Sequence, residues 1–101
     1  MEIVYTEEAI LNLDDIHYYV AFTMQNPTSA NRLVLAIRET IDYLADFPYM
    51  GEEQEQLEAG LRRLRHGNYA VLYNVVEAEK IVLIRNVLHS KQDIERRYRD
   101  P

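Results

Sequence analysis

The pattern of apolar and polar residues predicts a short strand and then a helix at the start of the chain. Glu2–Tyr5 alternates polar and apolar residues, as a half-buried strand does. Thr6 can cap the helix that follows, and two glutamates lie in its first turn, where the helix dipole favours acidic residues. Asn26 and Pro27 end this helix, because the residue before a proline avoids helical geometry. Its apolar stripe has spacings of three and four residues and comprises Ile10, Leu13, His17, Val20 and Met24.

A second apolar stripe predicts a second helix. Either Thr28 or Ser29 is expected to cap its start, and Phe47 and Pro48 end it. The connection between the two helices is so short that they should lie antiparallel to each other. The stripe consists of Leu33, Val34, Ile37, Ile41 and Leu44.

Three runs rich in β-branched and aromatic residues predict an antiparallel meander. The runs are residues 61–65, 69–76 and 80–88. The breaks at residues 66–68 and 77–79 have the composition and length of hairpin turns. The second half of the chain is therefore expected to form a small sheet.

The remaining segments complete an α+β fold in a single domain, residues 1–101. The acidic residues 49–59 are predicted to form a loop or a helical turn. Residues 91–99 are mostly polar, but Ile94 and Tyr98 lie four apart on one face, which predicts a short docked helix. The expected architecture is an N-terminal strand and an antiparallel helical hairpin packed on a small antiparallel sheet, in the order β-α-α-β-β-β, with a short C-terminal helix. The other face of the sheet is expected to be free.

Charge is divided between the two halves of the chain. Residues 1–59 hold two arginines against twelve acidic residues, whereas residues 60–101 hold nine lysines and arginines against five acidic residues. This division of charge predicts that one surface of the protein binds an anionic partner or an acidic protein segment. The formal net charge of -6 disfavours loose, non-specific binding to nucleic acid.

Composition excludes several classes of function. The chain has no cysteine, so disulfides and thiolate metal sites are excluded. No histidine pair has helical spacing, and the three glycines cannot form a phosphate-binding loop. We therefore predict no metal and no cofactor. The acidic start lacks the features of a signal peptide, and no apolar run approaches the length of a membrane span. A cytoplasmic protein without a membrane partner is expected.

Arg62, Arg63 and Arg65 form the strongest candidate cluster. Three arginines within four residues can bind phosphates or an acidic peptide. The alternative is a solvated strand paired with the acidic segment 52–58. His89 ends the last strand, where it can serve as an acid or base or simply pack. His17 is expected in the core or an interface, and His66 in a turn.

One ordered series of residues carries a family resemblance. The series is Ala9, Leu13, Ile16, Tyr19, Asn26, Pro27, Ala30, Ile37, Ile41, Leu44, Phe47, Pro48, Gly51, Gly60, Leu61, Arg62, Leu64, Tyr69, Val71, Tyr73, Ile84, Val87, Leu88, His89, Asp93 and Ile94. In this order and spacing, the chain resembles the RelE/ParE superfamily of toxins from bacterial type II toxin–antitoxin systems. It is closer to the ParE-like members, because the stretch from Val87 to Ile94 looks like their ending.

The resemblance implies one of two activities. RelE-like members are ribosome-dependent messenger-RNA endonucleases that stabilise the reacting phosphate with several cations, and ParE-like members poison DNA gyrase. Ala70 stands where RelE-like members commonly carry an arginine. Arg85 lies four residues before His89 rather than three, and strand alternation would turn it to the opposite face. The candidates for catalysis are His89, Arg63, Arg85 and Tyr73, with Tyr98 as a further one.

Nothing in the spacing of these candidates requires them to converge, so we expect no efficient ribonuclease centre. The expected function is that of a toxin that binds an intracellular target, DNA gyrase, and is neutralised by a cognate antitoxin in a hetero-oligomer. The alternatives are a nuclease that acts on ribosome-bound mRNA and an inactive homologue. A disordered antitoxin tail is expected to fold over the basic hairpin and across the helical hairpin. The residues expected to bind antitoxin or target are Arg62, Arg63, Arg65, Lys91, Arg96 and Arg97.

Overall fold

The computed structural model describes residues 1–89 and 91–98, without the side chains of Lys91 and Gln92. It contains five strands and three α-helices within these residues. A π-helical turn at Tyr19–Thr23 and short 3-10 turns at Tyr43–Ala45 and Glu77–Glu79 join some of them. The elements are β1 (Glu2–Tyr5), α1 (Glu7–Tyr18), α2 (Pro27–Asp42), β2 (Glu52–Glu53), β3 (Leu61–His66), β4 (Tyr69–Val76), β5 (Ile81–Leu88) and α3 (Lys91–Tyr98).

The α+β fold predicted from the sequence is confirmed. The sheet has the order β1-β5-β4-β3-β2, and β3, β4 and β5 form the expected antiparallel meander. β1 is added parallel to β5, because the helical hairpin returns the chain across one face of the sheet before the meander begins.

β2 is a correction to the prediction of a loop or helical turn between residues 49 and 59. Glu52 pairs with Arg63 and Glu53 with Arg62 along the edge of β3, and the Gln54 amide donates to the Leu61 carbonyl at 2.8 Å. Acidic residues facing arginines across an antiparallel pair favour this short strand. The two-residue strand is too brief to give a periodic signal in the sequence.

The main core lies between the helical hairpin and one face of the sheet. Its buried members are Ala9, Leu13, Ile37, Ile41, Leu44, Val71, Tyr73, Val82, Ile84 and Val87. Ile10 and Met24, which were assigned to the apolar stripe of the first helix, are exposed instead. Val20 is buried as predicted, and the π-helical turn changes the angular spacing after Tyr18, so Ala21 also turns inward and packs with Val20 on Ala30.

The helix caps confirm one prediction and correct another. The Thr6 hydroxyl oxygen accepts from the Ala9 amide at 3.0 Å, as expected for the first helix. Asn26, not Thr28 or Ser29, caps the second helix, and its side chain accepts from the Ser29 amide at 3.2 Å. Pro27 then occupies the first turn, where a backbone N–H would have no hydrogen-bond partner within the helix, so the N–H that proline lacks is not needed.

The second face of the sheet is only partly free. Ile94 and Tyr98 of α3 pack on Leu61, Ala70 and Leu72, with Leu57 beside them. The expectation of a free face is therefore wrong for the region under α3, because that short amphipathic helix folds back onto the sheet. Among the described residues, no helix is both long enough and apolar enough to cross a lipid bilayer.

A β-bulge in β5 corrects the predicted orientation of Arg85. Leu72 pairs with Asn86 but the next residue, Tyr73, pairs with Ile84, so Arg85 is an extra residue in its strand. A bulge shifts the alternation by one residue. Arg85 consequently lies on the α3 side of the sheet, in contact with Asn74 and near the ring of Tyr98.

Candidate functional site

A cavity of about 350 Å³ lies at the end of the sheet beside the turn between β3 and β4. Arg63 and Arg65 of β3 form one wall, because alternation along the strand places both on the α3 side. Ala70 and His89 line it as well, and Ile94 contributes from α3. These residues make a cationic pocket with a small apolar side chain, Ala70, beneath the helix.

His89 stands between this pocket and a second groove of about 610 Å³ on the α1 side of the sheet. The His89 and Tyr69 rings pack edge to face with centroids 5.0 Å apart. Burial raises the pKa of Tyr69, so its phenol is protonated at neutral pH and acts as a donor. The second groove is lined by the apolar groups of Ile16, Tyr19 and Met24 and by two carboxylates, Asp15 and Asp93.

The structure brings together only some of the predicted catalytic candidates. Arg63 and His89 share the pocket. Arg85 lies elsewhere, where its guanidinium donates to Glu58 at 2.6 Å and to Asn74 at 2.7 Å. The hydrogen bonds from Arg85 hold the pKa of Glu58 below its usual value.

Tyr73 is fully buried on the opposite face of the sheet, under the helical hairpin. Its hydroxyl donates to the Pro48 carbonyl at 2.8 Å and accepts from the Gly51 amide at 2.8 Å. Burial raises the pKa of Tyr73, so the phenol stays protonated. The residue holds a loop in place and does not face the pocket.

Tyr98 belongs to a polar network that fastens α3 to the body of the protein. Its hydroxyl donates to Asn86, whose amide donates to Glu8 at 2.5 Å and to Asn12 at 3.0 Å. Arg97 donates to both oxygens of Glu8, at 2.5 and 2.9 Å. Burial raises the pKa of Tyr98 to about 12, so this phenol is no base at neutral pH.

Sequence reasoning missed this network. It assigned Glu8 to the helix dipole alone and did not use Asn12 or Asn86. The signal was Asn86, an amide in a strand that is apolar except for this residue and Arg85; in the structure its side chain is fully buried. A buried polar side chain needs hydrogen-bond partners, so its position implied a network, although not the identity of the partners.

The arginines of β3 are engaged differently from one another. Arg62 donates to Glu53 at 3.1 Å and Arg63 to Glu52 at 3.1 Å. This pairing with the acidic segment is the alternative that the sequence left open. Arg65 is exposed and forms no ion pair with any residue in the described ranges. Of the three, it is the cation that a partner can reach without displacing a carboxylate.

The remaining predicted binding residues lie on α3. Arg97 is held by Glu8, and Arg96 is exposed, with a long contact of 3.7 Å to Asp93 on its own helix. Lys91 begins the helix, but its side chain lies outside the described residues. His17 and His66 each form a hydrogen bond with a residue of α2. His17 shares a 2.6 Å hydrogen bond with Asn31, and His66 shares one of 2.9 Å with Thr40.

The outer surface of the helical hairpin carries an apolar patch, which we call the hairpin patch. The rings of Tyr18 and Phe22 lie 4.9 Å apart and both are mostly exposed. Leu11, Tyr19 and Met24 extend the patch and are also exposed. A contiguous exposed group of large apolar side chains is typical of a protein–protein interface.

The pocket has binding groups but few reactive ones. Two guanidinium groups and an imidazole can hold an anion, and the imidazole can move a proton. Across residues 1–89 and 91–98, no three His, Asp or Glu side chains converge in a way that could hold a metal ion. The geometry of the pocket can therefore hold an anionic group.

Comparisons with known proteins agree on the fold. A chain of the chromosomal ParDE toxin–antitoxin system from P. aeruginosa superimposes with a TM-score of 0.73 at 22% identity, over 90% of this chain and 97% of that chain. A chain of the RelBE2 toxin–antitoxin complex from Mycobacterium tuberculosis gives 0.67 at 23% identity, over 87% and 95%. These likenesses concern the architecture alone.

Sequence comparisons point in one direction. Toxin ParE1 of Caulobacter vibrioides is 37% identical over 57 residues, and the match covers 56% of this chain and 56% of that toxin, about half of its length. The sequence model of the ParE toxin of the type II toxin–antitoxin system parDE matches residues 3–94. Since that match covers nearly the whole described chain, the protein belongs to the ParE toxin family.

Proposed function

We propose that this chain is the toxin of a toxin–antitoxin pair, that it inhibits growth by binding a protein target, and that its cognate antitoxin neutralises it by covering its surface. By the family resemblance, the target is DNA gyrase. The observation that carries the proposal is the pocket beside His89, where the small Ala70 lies under α3 and, among the described residues, two arginines line the wall. In this proposal the pocket is a site at which a partner protein makes contact.

The ribonuclease alternative has one observation in its favour and several against it. Arg63, Arg65 and His89 do line one pocket. However, Arg85 is engaged by Glu58, and Tyr73 lies on the other face of the sheet. A cation aimed at the developing charge of a transition state is worth on the order of 10²–10³ in rate. With Ala70 in place of such a cation, cleavage of RNA would be slow.

The surface proposed for the antitoxin joins the hairpin patch to the end of the sheet near Arg65. An amphipathic helix of the antitoxin can lay its apolar face on Tyr18 and Phe22, the mode by which helices bind grooves. Carboxylates of the antitoxin can then reach Arg65. Carboxylates could also exchange with Glu52 and Glu53, because exposed ion pairs stabilise by only about 0–1 kcal/mol.

Induction of the chain in bacterial cells without antitoxin tests the proposal. We expect growth to stop with a DNA-damage response, and ribosome-bound messages to remain intact when RNA ends are mapped. Co-expression of the cognate antitoxin should restore growth. His89→Ala should leave growth inhibition intact, since no step of the proposed mechanism uses the imidazole as an acid or base.

His17→Ala serves as the matched control, because it removes a histidine that bonds to Asn31 within the helical hairpin, away from the pocket. Codon-specific cuts in translated messages that disappear with His89→Ala but persist with His17→Ala would establish the ribonuclease instead. A chain that stops neither growth nor DNA replication would identify an inactive homologue.

A further inference from the structure

A second group of exposed apolar side chains lies where the chain leaves α2, and we call it the apolar loop. It consists of Tyr43, Phe47, Tyr49 and Met50, whose side chains project from the segment between α2 and β2. Their exposed fractions are 62%, 59%, 50% and 49%. Four adjacent large apolar side chains of this exposure are unusual on a loop, where polar residues are the rule.

Hydrogen bonds from side chains of the sheet fix the backbone of the apolar loop. The Tyr73 hydroxyl bonds to both Pro48 and Gly51, as described above. Arg62 donates to the Tyr49 carbonyl at 3.1 Å and to the Gly51 carbonyl at 2.7 Å, and its guanidinium lies 5.0 Å from the centre of the Tyr49 ring.

Bonds within the loop add to this support. The Phe47 amide donates to the Tyr43 carbonyl at 2.9 Å, and the Met50 amide to the Phe47 carbonyl at 3.1 Å. The N-terminal ammonium of Met1 donates to the Ala45 carbonyl at 2.8 Å. A loop fixed in this way loses little entropy on binding, so its exposed side chains are pre-organised for a partner.

The charges around the apolar loop indicate what kind of partner fits. Asp42 and Asp46 are exposed beside it and form no ion pair with any residue whose position is described. Glu52 and Glu53 at the start of β2 add no free charge, because each is already paired with an arginine of β3. The complementary surface is an apolar pocket with lysines or arginines at its rim.

A second copy of this chain is the less suitable occupant. Four half-exposed side chains that each bury about 150–250 Å² when fully covered offer roughly 300–500 Å², below the ~800 Å² per partner of a stable interface. Two copies would also bring Asp42 and Asp46 against their own counterparts. Insertion into a pocket of a larger protein avoids this repulsion, and contacts around the loop would supply the rest of the interface area.

The apolar loop is also separate from the hairpin patch. Tyr18 and Phe22, at the centre of the hairpin patch, lie near the start of α2, whereas the apolar loop follows its end; α2 has 16 residues and is therefore about 24 Å long. One partner can cover one end of the hairpin while the other end stays accessible.

We propose that the apolar loop is the surface that docks into the protein target, in an apolar pocket bordered by basic residues, and that it is distinct from the surface bound by the antitoxin. This inference rests on the proposed function, since it assumes a protein target. It assigns the two binding activities of the chain to the two ends of its helical hairpin.

The test compares the wild-type chain with the double variant Phe47→Ser, Met50→Ser, and uses purified DNA gyrase as the probe. The loss of two exposed apolar anchors should weaken binding at least tenfold and remove growth inhibition, while affinity for the antitoxin stays the same. Leu35→Ser is the matched control, because Leu35 is equally exposed on α2 and belongs to neither surface. Unchanged antitoxin binding also shows that the double variant folds.

A second pair of variants tests the charge of the partner. Asp42→Asn with Asp46→Asn should weaken gyrase binding severalfold at low salt and less at high salt, whereas the exposed Asp14→Asn should have no effect. If the Asp42 and Asp46 variant binds gyrase as tightly as the wild type does, the proposal of a pocket with a basic rim is wrong.

The two proposals fail in different ways. A wild-type chain that inhibits growth and binds gyrase, with a Phe47 and Met50 variant that does both equally well, overturns the inference alone. A wild-type chain that does neither overturns the proposed function, and the inference with it.

Discussion

At the scale of single residues, Tyr73 shows how a strand position can determine the shape of a distant loop. Its ring is part of the main core, and its hydroxyl bonds to Pro48 and Gly51. Gly51 has no room for a side chain, because an added Cβ would lie 2.5 Å from the Tyr73 oxygen and 2.9 Å from the Arg63 carbonyl. Only glycine, which has no side chain, therefore lets the backbone at Gly51 approach this hydroxyl group so closely.

Tyr73→Phe should destabilise the fold by about 1–3 kcal/mol, because it leaves the buried Gly51 amide and the Pro48 carbonyl without their partner. The measurement is urea unfolding followed by circular dichroism. Tyr18→Phe is the matched control, since that hydroxyl is exposed and its removal should change stability by less than about 0.5 kcal/mol. Equal stability of the two variants would contradict a structural role for the Tyr73 hydroxyl.

The sequence predicted the position of Tyr73 in a strand but not this role. Periodicity shows which residues of a strand share a face, but the sequence did not indicate that the helical hairpin covers the face that holds Tyr73. It says nothing about which backbone groups a buried hydroxyl will meet 22 or 25 residues away. Tyr73 was therefore named as a catalytic candidate, and its burial became visible only in the structure.

At the scale of elements, the docking of α3 depends on charge as much as on apolar packing. Ile94 and Tyr98 give it a small apolar contact with the sheet. Arg97 adds a bidentate ion pair with Glu8 of α1. The hydrogen bond from Arg97 is the largest cause that holds the pKa of Glu8 below its ordinary value of 4.5.

Acidification should therefore loosen α3. A carboxylate whose pKa is lowered by folding contributes stability that is complete above its unfolded value, near 4.5, and is lost as the pH falls through the lower folded value. Wild-type stability should decline between about pH 5 and pH 3, and Glu8→Gln should decline less over the same range. Hydrogen exchange of the α3 amides and urea unfolding at several pH values measure both effects.

Glu7→Gln is the control for that experiment, because Glu7 shares the first turn of α1 and the helix dipole but forms no ion pair with a described residue. Some acid sensitivity should remain in Glu8→Gln, since folding also lowers the pKa of Glu58. Parallel decline of Glu8→Gln and the wild type would show that the Glu8 and Arg97 pair does not fasten α3.

The elements themselves were largely predictable, and their exceptions have local causes. Both helices, the three long strands and α3 follow from hydrophobic period and turn residues. β2 and the bulge at Arg85 depend on pairing between distant segments, which no local pattern encodes. The link between Glu8 and Asn86 spans 78 residues, so sequence analysis could indicate only that Asn86 needed a partner.

At the scale of the whole molecule, the two oppositely charged halves bind each other. Four ion pairs join an acidic residue of the first half to an arginine of the second, namely Glu8 to Arg97, Glu52 to Arg63, Glu53 to Arg62 and Glu58 to Arg85. The sequence correctly indicated complementary charge. It left two sources of that complement open, a partner and the acidic segment 52–58, and the fold supplies much of it internally.

This internal pairing changes the expected electrostatic contribution to antitoxin binding. Replacing Arg62, Arg63 and Arg65 by glutamine should weaken the complex about two- to fivefold at low salt, because an exposed ion pair contributes roughly 0.2–1 kcal/mol and Arg62 and Arg63 already have partners within the fold. The difference should shrink as salt rises, because screening acts on exposed charges. Neutral glutamine is preferable to glutamate here, since a reversed charge would repel Glu52 and Glu53 and disturb β2.

Arg65→Gln alone should account for most of that loss, because Arg62 and Arg63 already have carboxylate partners and Arg65 has none among the described residues. Titration calorimetry with the antitoxin at two salt concentrations measures the effect. Arg32→Gln is the control, as this arginine is exposed on α2 and unpaired within the described ranges. If the triple variant binds as tightly as Arg32→Gln, charge on β3 has no part in recognition, and the apolar hairpin patch alone must hold the antitoxin.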